Sequence, residues 1–132
     1  MLTRFISLGA VALGLSVGAP GTARAQQMQM EHPKGTRQTI TGTVIDISCR
    51  FGLGLTGASH RECAQVCAGK GISLAILSSD GALYFPTSPS MPGDGQNDRL
   101  KEFAERQVRV TGTVFPASGA HAIWIESIAR KP

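Results

Sequence analysis

Residues 38–48, QTITGTVIDIS, alternate apolar with small or polar side chains, the period of a strand with one covered face. The phase changes between Val44 and Ile45. Ile40, Gly42 and Val44 share one face, whereas Ile45, Ile47 and Cys49 share the other, so a bulge or sharp coil in a long strand is expected. A glycine-rich, irregular stretch, RFGLGLTGA, occupies 50–58. Ser59 then offers an N-cap oxygen with Glu62 three residues on, the capping-box pattern, and predicts a short helix from His60 to Ala68 stopped by Gly69 and Gly71.

ISLAILSSDGALYF places Ile72, Leu74 and Ile76 on one strand face, turns at Asp80-Gly81 and continues as a second strand through Leu83 and Phe85. PTSPSMPGDGQN, over 86–97, is a surface loop by its three prolines and two glycines. Asn97 or Asp98 caps a helix in DRLKEFAER with Leu100, Phe103 and Ala104 as its apolar stripe. QVRVTGTVFP and AHAIWIESIAR form a closing hairpin around ASG. The resulting order predicts a mainly β protein: a five-stranded, OB-fold-like Greek-key barrel, with a short helical insertion after strand 1 and a helix between strands 3 and 4. Thr41-Gly42-Thr43-Val44 recurs as Thr111-Gly112-Thr113-Val114. Glycine at matching points of two strands lets each coil tightly round a small barrel.

The N-terminus changes the compartment. MLTRFISLGAVALGLSVGAPGTARAQQ carries a basic residue, an apolar run and Ala23-Arg24-Ala25, which reads as a signal peptide over residues 1–25. The run is too short for the ~20 residues that span a bilayer, and no membrane anchor is expected. Residues 26–37 read as a flexible arm and 38–132 as the OB-fold-like domain, exported to the periplasm or secreted. Removing the signal leaves eleven Lys and Arg against nine Asp and Glu. Without a basic stripe, and with export, nucleic acid is not an expected partner.

The three cysteines carry the chemistry. On a helix, His60, Cys63 and Cys67 stand at i, i+3 and i+7 on one face, and the loop after Cys49 is long enough to fold that residue back. Three thiolates and an imidazole suit Zn(II) and also attract soft Cu(I). The rival is a disulfide from Cys49 to Cys63 or Cys67 that staples the inserted helix to the barrel and leaves one thiol over. A thiol redox protein acting through the unpaired cysteine is a third reading. In the arm, Met28, Met30 and His32 form an accessory set of soft ligands. Asp46 either faces solvent or orients His60. No Ser-His-acid set can be placed, and no open metal position or substrate cleft marks an enzyme.

Cys63-x3-Cys67 with a separate His60 is similar to the copper-binding set of the Sco copper chaperones, without their thioredoxin-like context. The binuclear copper centre of cytochrome oxidase also uses Cys-x3-Cys, but Lys70 and Gly71 stand here in place of its later ligands. Over residues 39–128 the chain resembles a group of small exported bacterial OB-fold-like proteins. The resemblance rests on Gly42-Thr43-Val44-Ile45-Asp46-Ile47-Ser48-Cys49, on His60-Arg61-Glu62-Cys63-Ala64-Gln65-Val66-Cys67, on Leu77 to Tyr84 and on Val108 to Val114. It implies that Cys49, His60, Cys63 and Cys67 belong together. The expectation is a periplasmic protein binding Cu(I) or Zn(II), with a protein partner for metal transfer.

Overall fold

The computed structural model describes residues 34–117 and 119–132. The signal segment 1–25, the arm up to Pro33, and Met28, Met30 and His32 lie outside the described residues. Five strands, β1 (Thr36–Asp46), β2 (Leu74–Ser78), β3 (Leu83–Pro86), β4 (Gln107–Ala117) and β5 (Ala120–Arg130), close into a barrel in the order β1-β2-β3-β5-β4. All pairings are antiparallel except β3 with β5. This is the expected OB-like barrel. Among the described residues, no helix is long and apolar enough to cross a membrane.

β1 closes the barrel by changing partners along its length. Thr36 to Thr43 pair with β4, and Gly42 to Asp46 pair with β2, so the strand passes from one neighbour to the next at Gly42. A Cβ on Gly42 would lie 2.6 Å from the Leu77 carbonyl oxygen. A Cβ on Gly112 would collide with the Trp124 carbonyl, where the β4–β5 register shifts between Thr111 and Gly112. The paired glycines thus stand where two backbones approach too closely for a side chain.

The bulge expected between Val44 and Ile45 is absent from β1, whose register against β2 runs unbroken. Val44, Ile45 and Asp46 are all buried. Both faces of this strand end are covered, so the phase change marks a transition from one-sided to two-sided burial. The core gathers Ile40, Val44, Leu74, Ile76, Val108, Val110, Val114, Ile123 and Ile125. Each fully buried aliphatic side chain contributes about 1.5–3 kcal/mol relative to exposure. Leu100 and Phe103 join this core from α3 (Asn97–Leu100) and the 3₁₀ turn Lys101–Phe103 that follows it.

The insertion between β1 and β2 is more helical than its glycines suggest. α1 (Ile47–Leu53) starts directly after β1 and ends at Gly54, whose φ of 68° is a left-handed cap. A 3₁₀ turn (Ala58–His60) then leads into α2 (Arg61–Gly69). The capping box is not formed: no side-chain cap bond is present at the start of α2, and Ser59 lies within the preceding turn. Nor does Asn97 cap α3. Its amide instead donates to the Ala68 and Ile72 carbonyls, at 3.0 and 2.8 Å, while its oxygen accepts from the Leu74 N–H at 3.1 Å. One side chain thereby ties the end of α2 to the start of β2.

Gly112→Ala is expected to destabilise the fold by about 2 kcal/mol, as overpacking against a fixed backbone does. Thermal unfolding followed by circular dichroism checks this, with Gly119→Ala as a control that adds a Cβ in open space but at a left-handed backbone position. The control loses less, about 1 kcal/mol.

Candidate metal centre

The centre is built where β1 runs into the insertion. Asp46, fully buried, ends the strand and caps α1: its Oδ1 accepts the Cys49 N–H at 2.9 Å. This bond fixes the first turn of the helix and turns Cys49 inward, where it is buried. Asp is a favoured N-cap residue whatever stands three positions on, and that preference was the one sequence signal for this role of Asp46. Asp46 therefore neither faces solvent nor orients His60 as the latter's hydrogen-bond acceptor.

Cys63 and Cys67 lie one turn apart on α2, which presses Ala64 and Ala68 against the barrel. The thiol stripe runs beside that face, leaving Cys67 half-buried and Cys63 exposed. All three cysteines are free thiols. Their sulfurs lie within 4.8 Å of one another. The disulfide staple is not formed. α2 is held by side-chain bonds to backbone: Arg61 Nε donates to the Ala104 carbonyl at 3.2 Å and Gln65 to the Lys101 carbonyl at 3.1 Å.

His60 stands directly before α2 and not within it. It closes the 3₁₀ turn, its N–H donating to the Gly57 carbonyl at 3.0 Å, and its ring is buried. A second donor set, Asp46, Cys49 and His60, also lies within 4.8 Å. Cys49 belongs to both sets, so Cys49, His60, Cys63 and Cys67 gather around one sulfur without forming a single set of four.

The orienting group for His60 is Glu105. Nδ1–H of His60 donates to Glu105 Oε1 at 3.2 Å, and the other carboxylate oxygen accepts the Gly57 N–H at 2.8 Å. Nδ1 thus carries a proton toward the carboxylate, and Nε2 is the ring nitrogen turned away from it. Nε2 of His60 and Oδ2 of Asp46 are buried with no hydrogen-bond partner among the described residues. Buried polar atoms left in this way are costly unless a cation or proton meets them. Glu105 holds a φ of 56°, rare for a residue with a Cβ. Its N–H is tied to the Val44 carbonyl at 2.7 Å, so the site's geometry is maintained against backbone strain. In the sequence Glu105 reads as an ordinary helix residue, and no motif singles it out.

The charges around the thiols oppose their ionisation. Burial pushes the Cys49 thiol up to about 11, helped by the Asp46 carboxylate and then the other two thiols. Cys67 is also raised, by burial first and Asp46 next. An electropositive setting, which activates nucleophilic cysteines, is missing around these two sulfurs. His121, the remaining described histidine, stacks on Tyr84 with ring centroids 4.9 Å apart and belongs to neither donor set. Comparison with protein-family models, curated proteins and solved structures found no match.

In the metal-free, reduced protein, Cys49 is expected to alkylate far more slowly than exposed Cys63, its rate rising about tenfold per pH unit toward pH 11. Mass mapping of iodoacetamide adducts over time checks the order. The same raised value has a linked sign: stability is level below the ordinary thiol value of 9.0 and declines as pH climbs from there through 11, because the unfolded chain releases the proton first.

Proposed function

We propose that the protein is an exported metal-binding protein holding Cu(I) or Zn(II) through Cys49, His60, Cys63 and Cys67. The carrying observation is that three free thiols lie within 4.8 Å of one another and that one of them, Cys49, lies equally close to His60, whose Nδ1 is held by Glu105 and whose Nε2 is unpartnered. A cation supplies what these groups lack: it favours thiolate over thiol and satisfies the buried lone pairs. A carboxylate behind a coordinating histidine is the usual outer support of such a ligand.

The role is metal handling. A ligand set with Cys63 exposed and Cys67 half-buried leaves the ion open to exchange with another thiol or thioether. The insertion also exposes Phe51, Leu53, Leu55 and Val66, apolar side chains that a protein partner for metal transfer would cover. Met28, Met30 and His32 are suited to deliver a soft ion to the cluster. Export to the periplasm rests on the signal-like residues 1–25 and fits use of the site outside the cytosol. The thiol redox reading is weakened by the raised Cys49 and Cys67, which leave little thiolate at neutral pH.

Native mass spectrometry of the reduced chain is expected to show bound metal, with three alkylatable thiols once the metal is removed and the protein denatured. A chain two hydrogens light with no metal refutes the reading. Affinity should fall as pH falls, because protons compete for the same sulfurs. Glu105→Gln retains only one acceptor for the two donors it serves and should weaken binding 10- to 100-fold, measured by chelator competition. His60→Ala should weaken binding comparably.

A further inference from the structure

The two donor sets share one atom, the Cys49 sulfur, and neither contains the other. A single tetrahedral ion requires all its donors about 3.3–3.8 Å apart, given metal–ligand bonds of roughly 2.0–2.3 Å. His60 meets Cys49 and Asp46 within 4.8 Å, but no set of that span joins it to both Cys63 and Cys67. One ion cannot use all four without rearrangement.

Charge makes a second case. A divalent ion on three thiolates leaves one negative charge, and Asp46 would add another at a position with no solvent exposure. Among the described residues no Lys or Arg pairs with Asp46, and the Lys and Arg ion pairs present are Arg37–Glu126 and Lys101–Asp98. Two divalent ions balance three thiolates and the Asp46 carboxylate, and the one charge left, on Glu105, is met by the His60 Nδ1–H and the Gly57 N–H. They would also meet the two buried orphan atoms that belong to the donor sets, Asp46 Oδ2 and His60 Nε2. A thiolate has lone pairs enough to bind two ions at once.

We propose that the centre is binuclear, with Cys49 Sγ bridging two Zn(II) ions, one completed by Cys63 and Cys67 and the other by Asp46 and His60. The proposal rests on the metal-binding reading above. Binding the two ions releases three thiol protons to solvent, and no electron is transferred. Each ion keeps a position beyond its three protein ligands, which water or a partner's ligand fills. The positions differ in access: one includes exposed Cys63, and the other joins buried Asp46 to buried His60.

The test is Zn(II) titration of the reduced, metal-free full chain, with bound ions counted by native mass spectrometry and Cu(I) run in parallel under anaerobic conditions. The expected count is two Zn(II) per chain, falling to one in Asp46→Asn, which keeps the cap acceptor but removes the charge, and to one in His60→Ala. Deleting residues 26–33 should leave two, showing that the second ion is not held by Met28, Met30 and His32. Circular dichroism monitors folding, and His60→Ala decides if Asp46→Asn does not fold. One Zn(II) in the unaltered chain overturns the binuclear centre and leaves the metal-binding reading standing. Two in His60→Ala, or one after the arm deletion, also overturns it. Failure to bind Zn(II) while Cu(I) binds overturns the zinc pair alone, and binding of neither ion overturns both readings.

Discussion

The structure around the candidate centre depends on a carboxylate buried at the end of a barrel strand. Asp46 has no exposed surface; one of its oxygens accepts the Cys49 N–H, and the carboxylate lies close enough to the Cys67 thiol to raise it. That bond starts α1 one residue beyond β1 and converts a sheet edge into a helix with no intervening loop. It also fixes where Cys49 points. The carboxylate also raises the Cys49 and Cys67 thiols, and a donor atom of His60 lies within 4.8 Å of it. In a low-dielectric site such groups are stabilised together by a cation and only poorly by one another.

The barrel supplies the rigidity this arrangement requires. The chain after Phe103 forms a parallel bridge from Ala104 to Val44, and the Glu105 N–H and the Val44 N–H both bond across this junction. Glu105 is thereby locked to the same strand end that carries Asp46. Its left-handed backbone costs about 1–2 kcal/mol against a relaxed conformation. Two charge-assisted hydrogen bonds, to His60 and Gly57, offset that cost. The His60 ring is held from one side by this carboxylate, and its free nitrogen is left for the other.

Much of the architecture was legible in the sequence, because strand periodicity, the Asp80-Gly81 turn and the proline-rich loop are local signals. The repeated Thr-Gly-Thr-Val also pointed correctly to two sites of tight strand coiling. The misses share a physical cause, which is that tertiary contacts decided them. α1 forms through a glycine-rich segment because Asp46 caps it and Gly54 ends it. Ser59 looked like a cap, yet the chain tightens into a 3₁₀ turn there and α2 starts only after His60. The cysteines were recognisable as a cluster from their spacing alone. Glu105 was not, since its function depends on a backbone conformation and a neighbour 45 residues away.

The packing of α2 also bears on why ligands, rather than a core, should organise the insertion. Its buried residues are Ala64 and Ala68, small side chains that remove little apolar surface from water. Val66 remains exposed, and the helix is tied down by bonds from Arg61, Gln65 and Asn97 to main-chain carbonyls. Each such bond contributes about 0.5–1.5 kcal/mol net. An ion present at a thousand times its Kd adds about 4 kcal/mol to the folded state, more than any of these ties. With an ion bound as proposed, the stability of a helix attached so lightly to a closed barrel would follow the occupancy of the thiols it carries.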